Sequence, residues 1–154
     1  MKKFLFFIAI TLLLSSCGTV DVYEKTGAFA DHEWSSKTKL TFQFDVTDTA
    51  ARYNIYAVIR HLDAYHWNNI WLNITTIAPG DKANTQQVNL QLGDNAKGWL
   101  GAELDDIVEQ RVLLTRTPVQ LKQGTYTFTL QQIMREDPLE YVMNSGIRVE
   151  KVVQ

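Results

Sequence analysis

The chain has a single cysteine, Cys17, among its 154 residues, so no disulfide can form within it. Its stability must therefore come from buried apolar surface rather than from crosslinks. Beyond residue 16 there is no apolar run that could cross a bilayer as a helix, which takes about 20 residues. Basic residues are not in excess, since 15 Lys and Arg stand against 17 Asp and Glu. With no basic stripe, nucleic acid is not an expected partner. The usual catalytic signatures are also missing: no G-x-S-x-G, no H-E-x-x-H and no Gly-rich phosphate loop. The chain reads as non-enzymatic, and no small-molecule substrate suggests itself.

What is present begins at the N-terminus. Lys2 and Lys3 precede an apolar run from Phe4 to Leu14, and Leu14-Ser15-Ser16-Cys17 follows as a bacterial lipobox. The pattern predicts a lipoprotein signal peptide over residues 1–16. Cys17 then becomes the first mature residue and carries the lipid, a diacylglyceryl thioether with further acyl chains such as palmitate. Each buried methylene contributes about 0.8 kcal/mol, so two or three chains hold a protein to a membrane where one does not. Lipid on Cys17 is the only expected cofactor-like group. Removing residues 1–16 leaves 138 residues and takes away only Lys2 and Lys3. Thirteen basic residues then face 17 acidic ones, a net charge of −4.

The mature sequence alternates with period two, the signature of half-buried strands. Leu40, Phe42, Phe44 and Val46 share one face, as do Tyr53, Ile55, Ala57 and Ile59. The pattern recurs at Ile70, Leu72 and Ile74, at Val88, Leu90 and Leu92, at Tyr126, Phe128 and Leu130, and at Ile147 and Val149. Pro79-Gly80-Asp81, Gly93-Asp94-Asn95, Gln123-Gly124 and Asn144-Ser145-Gly146 punctuate the runs as turns or links. The fold class is all-β, an antiparallel sandwich of jelly-roll or immunoglobulin type. Residues 17–30 form the lipidated tether and a first edge strand, Val20 to Glu24; residues 31–154 form the sandwich. One stretch departs from this period. Leu100, Leu104, Ile107 and Val108 are spaced for a helical face, which predicts a short helix over Ala102–Gln110 with strand resuming at Val112.

The densest polar and aromatic segment runs from Arg60 to Asn69. His61, Asp63 and His66 have metal-ligand chemistry, but the ligand spacing of a zinc site is missing and no metal is expected. Tyr65, Trp67 and Trp71 offer aromatic faces to a sugar or a partner; Trp71, on residue type, is expected in the core. Tyr65, Trp67, His61 and Asp63 together form the candidate binding surface. Trp34 and Trp99 read as structural. In Met134-Arg135-Glu136-Asp137-Pro138-Leu139, Asp137-Pro138 stops a strand and Arg135 is expected to pair with Glu136. A hydrolase would need two convergent carboxylates. Asp63 and Glu136 are candidates that sequence cannot bring together.

Several runs, in this order, resemble one family. They are Val22-Tyr23-Glu24-Lys25, Glu33-Trp34, Phe42 to Asp45, Tyr53-Asn54-Ile55-Tyr56 and Arg60-His61 with Asp63 and Tyr65. Asn69-Ile70-Trp71-Leu72, Gly98-Trp99-Leu100-Gly101, Asp106-Ile107 and Gly124 to Phe128 follow, then Met134 to Leu139 and Gly146 to Lys151. The order is similar to that of the gliding motility lipoprotein GldH of Bacteroidota, over almost the whole mature chain. The resemblance implies an accessory role in gliding motility and type IX secretion through contacts with other envelope proteins. It supplies no catalytic residue, and only Cys17 maps to a defined role. Surface lipoproteins of that phylum carry acids directly after the cysteine. Here Gly18-Thr19-Val20 follow, with Asp21 and Glu24 beyond. That favours a domain facing the periplasm. The expected membrane is the outer one rather than the inner. The competing expectation is a carbohydrate-binding sandwich of the envelope.

Overall fold

The computed structural model describes residues 22–152. Cys17 and the signal peptide lie outside the described residues. Twelve strands follow one another: β1 (Val22–Ala28), β2 (Leu40–Val46), β3 (Arg52–Leu62), β4 (Asn69–Ile77), β5 (Asn84–Gln91), β6 (Gly93–Asp94), β7 (Gly98–Trp99), β8 (Ala102–Leu104), β9 (Ile107–Leu113), β10 (Val119–Gln120), β11 (Gly124–Gln132) and β12 (Val142–Val152). All pairings are antiparallel. One sheet has the order β1-β12-β3-β9-β8, with β10 also on β3, and the other is β2-β11-β4-β5. A two-stranded ribbon, β6-β7, stands apart. The chain passes from sheet to sheet at nearly every long connection, and the eight long strands interleave as in a jelly roll. This resolves the expected choice between jelly roll and immunoglobulin type.

The period-two residues supply the core. Ile70, Leu72, Ile74, Tyr126, Phe128 and Leu130 of one sheet pack with Ile55, Ala57, Ile59, Ile147 and Val149 of the other. Their alternates face out. There, Thr41 bonds Thr129 at 3.1 Å and Thr75 bonds Thr85 at 2.7 Å, which aligns β2 with β11 and β4 with β5. Trp34 is fully buried between the sheets' ends. It stacks on Phe29 at 4.7 Å and donates its Nε1–H to the Thr38 carbonyl. The expected edge strand over Val20–Glu24 runs as Val22–Ala28 among the described residues. Gly146 lets β1 lie against β12, since a Cβ there would fall 2.7 Å from the Thr26 Cα and closer still to the Lys25 carbonyl.

The helix expected over Ala102–Gln110 is instead a hairpin. Leu104 pairs with Ile107, leaving Asp105 and Asp106 as a two-residue loop, with Asp105 at φ 55. Short aspartates tolerate that left-handed conformation. The apolar positions do not follow a strand period: Val108 turns inward on β9 together with the polar Gln110, while Leu104 is exposed. Tertiary pairing with β3 overrides the helical spacing.

Candidate binding surface at the distal end of the sandwich

β3 ends at Leu62, and the loop to β4 carries the polar and aromatic run. His61 is the last inward residue of β3 and is fully buried. Its Nδ1 lies 2.8 Å from the Leu62 carbonyl and its Nε2 3.3 Å from Gln110 Nε2. The Gln110 amide also donates to the Leu92 carbonyl at 2.6 Å. Burial lowers the His61 pKa, against the opposing pull of that carbonyl and of Asp63. The ring packs edge-on to Trp99 at 4.5 Å and lies 5.1 Å from Tyr65. Tyr65 is buried as well; its hydroxyl donates to the Asn69 carbonyl, and desolvation raises its pKa. Asp63 is exposed and accepts the Trp99 Nε1–H at 2.6 Å, and its own N–H donates to the Asp106 carbonyl. Of the four expected surface residues, only Asp63 and Trp67 face solvent; His61 and Tyr65 are buried and present no face to a ligand.

The Met134–Leu139 run closes over this end. The Gln132 amide donates to the Trp34 carbonyl, and its Oε1 accepts the Met134 N–H at 2.7 Å. Asp137 accepts the backbone N–H and the hydroxyl of Ser36, which hold its carboxyl below the usual range. The Asp137–Pro138 peptide is cis, and Leu139 bridges to Trp34. Glu136 does not form the pair with Arg135 that the sequence suggested. Its carboxylate accepts the Trp67 Nε1–H at 2.6 Å and lies 3.1 Å from His66 Nδ1. Among the described residues Arg135 makes no ion pair. The expected carboxylate pairing of Asp63 with Glu136 is not formed either, since each acid bonds a different tryptophan. His61, Asp63 and His66 do not converge. Among the described residues, the group that could hold a cation is His66, Glu136 and Glu140, whose ligand atoms lie within 4.8 Å of one another.

Trp71 departs most from expectation. It stands on the outward face of β4 with Asn73 and Thr75 and is 41% exposed, while Trp67 is 39% exposed. Between them lies a cleft of about 520 Å³, walled also by Asn69, Gln87, Met134 and Arg135. The Trp71 N–H meets the Met134 sulfur at 3.2 Å, and the Ile133 N–H donates to the Trp71 carbonyl. Asn69 donates to Asn89 Oδ1 at 2.7 Å. Around Trp71 the outward face of β4, β5 and β11 carries threonine and amide side chains and no ionised group. The sequence signal for this cleft was the alternation itself, which sets Trp71 beside Asn73 and opposite Leu72.

Known proteins with similar sequences share this whole span. The Christiangramia forsetii protein "Gliding motility lipoprotein GldH homolog" is 26% identical over 152 residues, covering 94% of this chain and 93% of that one. Flavobacterium johnsoniae "Gliding motility lipoprotein GldH" is 24% identical over 147 residues, 91% of each. Among solved structures, dimeric latent PorU from Porphyromonas gingivalis aligns with a TM-score of 0.36 and 11% identity, over 90% of this chain and 13% of that one. Residues 21–149, from the foot of β1 to within β12, match the GldH lipoprotein family, and the chain belongs to it.

Proposed function

We propose that this protein is a membrane-anchored accessory component of gliding motility and of the type IX secretion machinery that serves it. It acts through protein contacts and catalyses nothing. The observation that carries this is the pair of GldH relatives aligned over more than nine-tenths of both chains. Lipid on Cys17 tethers the domain to the cell envelope, on the outer membrane and facing the periplasm.

The hairpin end of the first sheet suits docking. Leu100 is 51% exposed and Leu104 76%, and both lie on the short segment leading into and along β8. β8 is an edge strand of three residues, paired only with β9 among the described residues. Two exposed leucines beside an open strand edge offer apolar contact and unpaired backbone groups to a partner protein.

Deleting the gene from its own organism should abolish or impair colony spreading or the export of type IX cargo. A deletion strain normal in both would refute the reading. Leu104→Asp should reproduce the defect while protein abundance and membrane fractionation stay normal. Cys17→Ala should leave the domain folded but no longer in the membrane fraction.

A further inference from the structure

We propose that the cleft between Trp67 and Trp71 binds a pyranose ring of a glycan chain. This goes beyond the envelope role above and does not depend on it.

Two indoles, 39% and 41% exposed, sit on one side of the domain and wall the same cleft. Large aromatic faces left half in water mark recognition surfaces, where they supply apolar contact at little entropic cost. The C–H face of a pyranose is flat and weakly apolar and matches such a face. The cleft's volume of about 520 Å³ lies within the roughly 300–1,000 Å³ of small-molecule sites.

The polar groups fit hydroxyl chemistry. Asn69 and Gln87 are amides, and each amide both donates and accepts, as a sugar hydroxyl does. The face continues across β4 and β5 with Asn73 and Asn89, so several successive ring hydroxyls could be met. Asn69 and Asn89 bond each other at 2.7 Å, which leaves the Asn69 oxygen and the Asn89 amide nitrogen for hydroxyls, whereas a strongly charged peptide would find a single counter-charge. Arg135 is the only ionised side chain in the wall, and it makes no ion pair among the described residues. It can donate to a ring oxygen of a neutral sugar or to the carboxylate of a uronic acid.

Part of the wall is set before any ligand arrives. The Trp67 indole is fixed by its bond to Glu136, and the backbone of Trp71 is held in β4, its N–H against the Met134 sulfur and its carbonyl by the Ile133 N–H. One oriented aromatic platform and a rigid strand for the other reduce the entropy lost on binding.

The test uses the full-length lipoprotein in detergent micelles, titrated calorimetrically with two arms of probes: cellohexaose and chitohexaose as neutral glycans, hexagalacturonate as the uronate. Saturable binding in at least one arm is expected. Trp71→Ala and Trp67→Ala should each weaken it about tenfold or more, and Trp71→Phe less. Arg135→Gln should weaken the uronate arm selectively if the carboxylate is the recognised group, and the neutral arm if ring hydroxyls are. Absence of saturable binding in both arms would overturn the proposal. So would unchanged affinity in both tryptophan variants whose circular dichroism and melting match the parent protein. A photo-crosslinking residue at position 71 that traps a polypeptide in cells, with no glycan competing, would reassign the cleft to a peptide.

Discussion

His61 makes the domain's stability depend on pH in a window where few other groups titrate. The ring is fully buried, and burial lowers its pKa from the ordinary 6.5. Above that value both folded and unfolded chains hold the imidazole neutral, so pH has no effect through this group. As pH falls through about 6.5, the unfolded chain takes up a proton that the folded one refuses, and stability is lost with a slope of up to about 1.4 kcal/mol per pH unit. Between about pH 7 and about pH 5 the ceiling is therefore near 2 kcal/mol. The Leu62 carbonyl and Asp63 favour the charged ring and reduce the loss below that ceiling. Glu24 and Asp137, whose bonding lowers their pKa from 4.5 and 3.8, act at lower pH and in the same direction. Urea unfolding followed by tryptophan fluorescence at the two pH values measures the loss. His61→Phe keeps an aromatic ring against Trp99 and Tyr65, and Gln110 still has the Leu92 carbonyl. The variant should lose clearly less stability on acidification than the parent. Equal losses in the two proteins would refute the reasoning.

Three further outcomes follow from the packing. Trp34→Ala empties the largest fully buried site and orphans the Thr38 carbonyl, so a loss of about 3–5 kcal/mol is expected in the same urea assay; a loss under about 1 kcal/mol would show that the site collapses freely. Gly146→Ala drives a methyl group into the backbone of β1 at Lys25 and Thr26, and should raise amide hydrogen exchange along β1 while leaving the β4–β5 pair protected. Glu136→Ala removes the acceptor of the Trp67 indole and the partner of His66; since His66 is 47% exposed, global stability should fall by less than about 1 kcal/mol while Trp67 fluorescence shifts.

The strands were legible because each is half-buried, so residue type and position agree. Leu40–Val46 was expected and found with the same bounds. Reading failed where residue type was set against position. Trp71 was placed in the core for its size, yet the alternation around it already assigned it to the outer face with Asn73. The 102–110 segment failed differently. Its apolar positions are spaced for a helix, and that local signal was overridden by pairing with β3, a strand some fifty residues earlier. Glu136 could not have been linked to Trp67 at all, because the bond joins residues 69 apart in sequence through a loop whose course depends on the Trp34–Leu139 bridge. Local propensity carries the elements; long-range closure carries the cleft.

That closure also fixes where the cleft stands relative to the chain's entry into the fold. β1 begins at Val22, paired with Glu150, which in turn pairs with Asn54 near the start of β3. The aromatic loop leaves the other end of β3, after Leu62. Eight residues of strand separate those two levels, about 26 Å at 3.3 Å per residue. From Cys17 to Val22 there are five residues, which span at most about 18 Å even fully extended. A lipid on Cys17 would thus hold the Asn54 end of the sandwich near the bilayer and point the Trp67–Trp71 end away from it. Such a short tether, with the proposed glycan cleft at the far pole, would suit a protein that reaches from a membrane toward something facing it, and would suit poorly one that grips the lipid surface itself.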